Sequence, residues 1–276
     1  MGLAAKKSLG QHFLKSEEVL VKIIEISSLS REDCVLEIGA GEGVLTEALL
    51  ASGATVIAVE TDERALPLLL KRFQEAIQTK QLRLIEGDIR NESTQRELFT
   101  ADYLGGREYK LIANIPYYIT GYLFRLFLET LRQPSLMVFL IQHEVAMQIV
   151  ATDKKEGMLS LSVKAFGTPR YIKKVPRDAF LPPPKVDSAI IAIEDIGKKN
   201  FETVRMEQYF RVLKAGLGSK RKMLIGNLSQ TLNLSKTELQ EIFTKLSIPH
   251  TVRGEDVDVD TWLKIAKNLS EQKEPD

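Results

Sequence analysis

Asn114-Ile115-Pro116-Tyr117 is the stretch of this chain whose residue types could do chemistry on a nucleobase amine. The exocyclic amine of adenine is a weak nucleophile because its lone pair is delocalised into the ring. Two acceptors that hold its hydrogens, here the Asn114 side-chain oxygen and a neighbouring backbone carbonyl, would draw the nitrogen toward a tetrahedral, nucleophilic geometry. Pro116 has a fixed φ and no N–H, which suits a rigid turn that points a carbonyl outward. Tyr117 offers a ring on which a base can stack. The same four residues also suit a plain Asn-Xaa-Pro turn at a strand end. The chemical reading therefore needs a methyl donor and a nucleic acid from the rest of the chain.

The motif follows an apolar strand-like run, Tyr109 to Ala113, and precedes a helix-like one, Tyr122 to Leu128. Upstream, Asp33-Cys34-Val35-Leu36-Glu37-Ile38 reads as a buried strand, then Gly39-Ala40-Gly41-Glu42-Gly43 and a helix from Val44 to Leu50. A glycine-rich turn of this kind lets backbone approach a ligand and aims helix N–H groups at it. Dinucleotide-binding folds and S-adenosylmethionine-dependent methyltransferases both carry such a turn. A second strand, Thr55 to Val59, ends at Glu60, 21 residues after Gly39. An acid at about that spacing hydrogen-bonds ribose hydroxyls in nucleotide-binding units. The third strand, Leu82 to Glu86, ends in Gly87-Asp88-Ile89, and Asp88 suits an adenine amino group.

Other elements flank these. Residues 1–16 carry no regular period, and Ser16 before Glu17 and Glu18 reads as a helix N-cap. After the motif come a helix over 120–131, a strand from Leu136 to Ile141, a helix to Val150 and a charged loop over 152–157. A helix from Leu159 to Phe166 and a strand from Arg170 to Val175 precede Phe180-Leu181-Pro182-Pro183-Pro184-Lys185, which reads as a stiff extended stretch. Phe180 suits either a stacking platform or a core anchor. Val186 to Ile193 is a last strand and Asp195 to Asn200 a linker, beyond which the apolar spacing is helical to the end. Gly218-Ser219-Lys220-Arg221-Lys222 opens one of those helices with three cations, a placement suited to phosphates.

At 276 residues the chain has room for one large domain and a small one. Its 44% hydrophobic and 27% charged content is that of an ordinary globular protein. No run of about 18 apolar residues marks a membrane span, and the start lacks a signal-peptide pattern. Cys34 is the only cysteine, and His12, His143 and His250 are far apart, so neither an internal disulfide nor a structural metal is expected. These features point to the cytoplasm. The net charge is only +1, but residues 164–185 hold six basic and one acidic residue, against four basic and seven acidic over 251–276. Such a separation makes either one basic face or ordinary solvated surface.

Taken in order, Gly10-Gln11-His12-Phe13-Leu14, Glu37-Ile38-Gly39-Ala40-Gly41, Glu60, Gly87-Asp88, Asn114 to Tyr117, Phe180 to Ser188 and Ser219 to Lys222 resemble one family. It is the KsgA (RsmA) small-subunit ribosomal RNA adenine dimethyltransferases, related to the Erm resistance methyltransferases and to mitochondrial transcription factor B. The resemblance runs from about Lys6 to Leu228. It implies an α/β, Rossmann-like S-adenosylmethionine-dependent methyltransferase domain over 1–197, followed by a small all-α RNA-binding domain over 198–276. It implies that Gln11, His12, Leu14, Gly39, Gly41, Glu60, Asp88, Ile89 and Asn114 line the S-adenosyl-L-methionine pocket. Asn114, Tyr117 and Phe180 would hold the target adenine, and Lys220, Arg221 and Lys222 would grip RNA. The expected activity is N6,N6-dimethylation of adjacent adenosines near the 3′ end of 16S ribosomal RNA, by a monomer without a metal, on an immature small subunit. The family usually has Asn where this chain has His12, and more often Lys where it has His143. An Erm-type enzyme acting on 23S RNA, a nicotinamide-dependent oxidoreductase, or a non-catalytic assembly or transcription factor would share parts of the pattern.

Overall fold

The computed structural model of the chain describes residues 3–6, 9–130, 132–151 and 155–271. Residues 152–154 of the expected charged loop and the last five residues of the acidic tail lie outside them. In chain order the elements are β1 (Phe13–Leu14), α1 (Glu17–Ser27), β2 (Cys34–Ile38), α2 (Val44–Ala51), β3 (Thr55–Glu60), α3 (Leu66–Arg72), α4 (Gln74–Gln78), β4 (Leu82–Glu86) and α5 (Glu92–Leu98). They continue with β5 (Lys110–Asn114), α6 (Thr120–Glu129), β6 (Leu136–Gln142), α7 (His143–Val150), α8 (Met158–Lys164), β7 (Thr168–Val175), β8 (Phe180–Leu181) and β9 (Ser188–Glu194). Four helices follow: α9 (Met206–Gly216), α10 (Leu224–Leu232), α11 (Lys236–Lys245) and α12 (Val259–Glu271).

The chain divides into two compact units, residues 1–146 with 170–196, and residues 147–169 with 197–276. The first is built on a seven-stranded sheet of order β4-β3-β2-β5-β6-β9-β7. β2 pairs parallel with both β3 and β5, β3 parallel with β4, and β5 parallel with β6, whereas β9 runs antiparallel to β6. Central strands covered on both faces read as continuous apolar runs rather than alternations. Every residue of β2 is buried, as are all of β3 but the first. Val35, Val56, Ile112, Val138 and Ile190 share one core with Leu45, Leu49 and Leu69. The sheet order reverses between β2 and β5, and ligands of open α/β sheets bind outside the strand ends at such a switch. Gly39 leaves β2 there, and Asn114 ends β5.

The expected Rossmann-like sheet and helical C-terminal region are both present. A helix expected over Arg64 to Phe73 is present as α3, and a second short helix, α4, follows it directly. A small two-stranded sheet, β1 with β8, also forms, pairing Phe13 with Leu181 and Leu14 with Phe180. Beyond β8 the chain bends at Pro182 and again at Lys185 and Val186 rather than running straight.

In the second unit α9 packs against α10 and α12, and α11 against α10. Trp262 and Tyr209 are fully buried, and the Tyr209 hydroxyl donates to the Leu161 carbonyl at 3.1 Å. That bond belongs to the reason residues 147–169 group with the C-terminal helices. No helix among the described residues is long and apolar enough to cross a membrane.

Candidate functional site

A cleft of about 1080 Å³, its open mouth included, lies at the switch between β2 and β5. Gln11, His12, Leu14, Gly39, Gly41, Glu60, Asp88, Ile89, Asn114, Tyr117 and Phe180 all line it. Residues expected to serve the donor and the base, taken from six places in the sequence, thus share one cavity.

The glycine turn sets its floor. Gly41 has φ +56°, and a Cβ there would sit 3.2 Å from the Phe13 ring. Only glycine adopts that conformation freely. Its N–H donates to Glu60 Oε2 at 2.7 Å, while the Asp62 N–H donates to Glu60 Oε1 at 2.7 Å. Glu60 therefore ties the end of β3 to the turn. At Gly39, with φ +80°, a built Cβ meets nothing within 4 Å, so the backbone borders open space.

Glu37, on β2, is fully buried and also lines the cleft. Thr46 Oγ1 donates to its Oε2 at 2.6 Å, and Oε1 has no partner. Burial pushes its carboxyl up to about 8; Thr46 works against the shift and nearby Glu60 adds to it. An unsatisfied buried oxygen is costly and marks a place where a donor group belongs. With Glu60 and Asp88 around it, an unpartnered Glu37 oxygen and an open backbone cradle at Gly39, the cleft fits a cationic nucleoside such as S-adenosylmethionine.

The roof comes from the N-terminal segment. Gln11 Nε2 donates to Asp62 Oδ2 at 2.8 Å, its Oε1 accepts from the Lys6 N–H at 2.9 Å, and Arg64 donates to both the Asp62 carboxylate and the Ala4 carbonyl. Arg64 is the main reason the buried Asp62 carboxyl lies far below the ordinary range. Gln11 thus lines the cleft while its amide is spent on holding the segment down. His12 donates from Nδ1 to the Pro182 carbonyl at 2.8 Å, and its ring stacks on Tyr117 at 6.0 Å between centroids.

At the motif, Asn114 Nδ2 donates to the His12 carbonyl at 3.2 Å. The amide is thereby oriented with Oδ1 left as an acceptor. The Pro116 carbonyl accepts from the Ile119 N–H at 3.1 Å. Tyr117 shares a hydrogen bond of 2.9 Å with Ser188 Oγ, and burial raises its phenol above the ordinary value. Phe180 is 3% exposed and belongs to the core with Leu14, so it is a fixed wall of the cleft rather than an open platform. Asp88 is bridged by the Arg90 guanidinium, whose hydrogen bonds lower its carboxyl pKa.

Lys220, Arg221 and Lys222 stand exposed in the second unit, in the turn before α10 rather than inside a helix. The basic segment 164–185 is less cationic than its composition implies. Lys164 is bridged to Glu156, Arg170 to Glu194, Lys173 to Glu18 and Lys174 to Asp187. Among the described residues only Arg177 and Lys185 of the six form no salt bridge.

Sequence reasoning gave no role to Glu37, Asp62, Arg90, Tyr118 or Ser188. Glu37 and Ser188 stood inside quoted motifs, and Arg90 is two residues past Asp88, but nothing in their spacing says what they touch.

A model of the family described as ribosomal RNA adenine dimethylase matches residues 2–271. The chain is 40% identical over 264 residues to the ribosomal RNA small subunit methyltransferase A of Dehalococcoides mccartyi, a match covering 95% of this chain and 88% of that protein. It is 36% identical over 277 residues to the protein of the same name from Pelotomaculum thermopropionicum, covering 97% and 92%. A solved dimethyladenosine transferase from Plasmodium falciparum is similar at a TM-score of 0.79 and 25% identity, covering 95% of this chain and 98% of that one. The fold is also that of the 23S rRNA methyltransferase ErmE, at a TM-score of 0.70 and 20% identity, covering 94% and 99%.

Proposed function

The chain belongs to the ribosomal RNA adenine dimethylase family, and on that premise we propose that its cleft dimethylates N6 of adjacent adenosines near the 3′ end of 16S ribosomal RNA. The observation that carries this reading is the setting of Asn114. Its amide nitrogen is occupied by the His12 carbonyl, which leaves an oriented oxygen at the end of β5, beside Tyr117 and above the glycine turn.

S-Adenosylmethionine, when bound, supplies a methyl group already activated on a sulfonium, so the reading needs no metal. Glu60 and the Gly39–Gly41 backbone would hold the donor's ribose end, Asp88 and Ile89 its adenine, and Glu37 would offer its unpartnered oxygen to the cationic end. The target adenosine leaves its stack to enter the cleft, as base-modifying enzymes require. Tyr117 offers it a ring to stack on, worth ~1–3 kcal/mol per base, and Phe180 closes the wall behind. Asn114 Oδ1 accepts one hydrogen of the amine. The Pro116 carbonyl is engaged with Ile119, so the Ile115 carbonyl serves as the second acceptor. The two acceptors would hold the amine lone pair toward the donor, which would supply its methyl to N6 and leave as the neutral thioether. The gain comes from positioning and electrostatics. The second methylation needs the same two acceptors with one hydrogen fewer to hold. The enzyme acts as a cytoplasmic monomer on an immature small subunit, and Lys220 to Lys222 hold phosphates.

Methyl transfer from radiolabelled donor to separated ribosomal subunits tests the reading. Label is expected in small-subunit RNA with the wild-type protein and none with Asn114→Ala. Label confined to the large subunit would favour an Erm-type specificity. Near-normal turnover by Asn114→Ala would remove that residue from the mechanism.

A further inference from the structure

The mouth of the cleft carries an aromatic group that the transfer step does not use. Tyr118 follows Tyr117 in the short turn Tyr117–Ile119, yet it is 55% exposed while Tyr117 is tied inward to Ser188. A large ring left in water beside a site is a candidate contact for a partner. This ring is also held in place. The Arg90 guanidinium lies over it, 5.5 Å from its centroid. Arg90 is itself fixed by hydrogen bonds to both oxygens of Asp88. The Cδ1–Cε1 edge of Tyr118 lies beside Gly10, where a Cβ would come within van der Waals contact of the ring at 3.4 Å. Tyr122, 38% exposed, accepts from Gln95 Nε2 at 2.9 Å and donates to the Arg90 carbonyl at 3.4 Å, fixing residue 90 from the other side.

We propose that the Arg90–Tyr118 pair is the platform on which the RNA base next to the extruded adenosine stacks. The inference rests on the reading above and extends it. When one nucleotide is turned out of a strand, its neighbour loses a stacking partner and exposes a π-face to water. An adjacent preformed aromatic ring replaces that partner, and any base can use it because every base has a π-face. A guanidinium plane stacks on bases as well, and its charge suits a polyanion. Tyr117 and Tyr118 are consecutive, so target and neighbour would be handled by adjacent residues of one rigid turn. Because Asp88 both faces the donor pocket and fixes Arg90, the platform is assembled from the wall of the donor site.

The test compares wild type, Tyr118→Ala and Tyr118→Phe on small ribosomal subunits lacking the methyl groups, with donor affinity measured separately by calorimetry on the RNA-free protein. For Tyr118→Ala the expected result is a rise of about tenfold in KM for the subunit, in line with the loss of one stacked base. Donor affinity should stay within twofold, and Tyr118→Phe should restore the KM. An unchanged KM for Tyr118→Ala overturns the proposal. So does a loss of donor affinity at unchanged subunit KM, which would make the ring a cover for the donor instead. A wild-type protein that transfers no methyl to either subunit overturns the reading on which the proposal rests, an outcome distinct from both.

Discussion

Four polar groups reach the cleft from neighbouring strands or their ends: Glu37 from β2, Glu60 from β3, Asp88 just after β4 and Asn114 from β5. Asn114, Glu60 and Asp88 could be picked out because each is a polar residue ending an apolar run. That the Asn114 amide answers to a carbonyl 102 residues earlier, or that Gln11 answers to Asp62, depends on folded geometry that no spacing encodes. Glu37 shows the same limit, since inside a buried strand it reads as an anomaly rather than a cleft wall. Its state makes a clear pH prediction. In the unfolded chain a glutamate titrates near ~4.3, whereas burial in the fold pushes this one up to about 8. Between those values the folded protein keeps a proton that the unfolded chain releases, so its contribution to stability falls as pH rises through that window. Glu37→Gln mimics the neutral acid and should remove that fall. Thermal melts of the donor-free protein are expected to shift in favour of the variant from about pH 5 to pH 8; parallel curves would mean Glu37 is ionised in the fold.

At the level of elements, long apolar strands and amphipathic helices could be read directly, because several residues repeat one signal. β1 and β8 could not. Two residues carry no period, and each strand's partner lies far away in the chain. The antiparallel entry of β9 beside β6 was equally hidden, yet it brings Ser188 to Tyr117. Ser188→Ala should therefore lower kcat several-fold without altering donor affinity. It should also cost roughly 1–3 kcal/mol in urea denaturation, because a half-buried hydroxyl loses its partner. Equal turnover by the variant would show that Tyr117 is positioned by its packing alone. The stacking of His12 on Tyr117 supplies such packing, so the two effects separate in that comparison. The basic run over 164–185 failed in the opposite sense: the composition was plain, but salt bridges to Glu18, Glu156, Asp187 and Glu194 consume most of its charge.

For the whole molecule, a boundary near 197 was visible as a change from mixed strands to helices, but the excursion of residues 147–169 into the helical unit was not. α8 is ordinary amphipathic sequence, and its grouping follows from tertiary bonds such as Tyr209 to Leu161. With four of the six cations of the 164–185 segment paired, the weight of Lys220, Arg221 and Lys222 in holding RNA rises. Replacing all three with alanine should lower the slope of log affinity against log salt by about 2–3. A filter-binding series over salt measures it, and an unchanged slope would take the three residues out of the interface. A different consequence follows from the bond between His12 and the Pro182 carbonyl, 170 residues apart, and from the pairing of Phe13 with Leu181. During synthesis the first dozen residues emerge long before their anchors exist. A polypeptide halted between Asn114 and Pro182 would own the glycine turn and Asn114, yet its N-terminal roof would have nothing to latch onto. Such fragments are expected to be catalytically silent, with competence arriving only after Pro182 has been added.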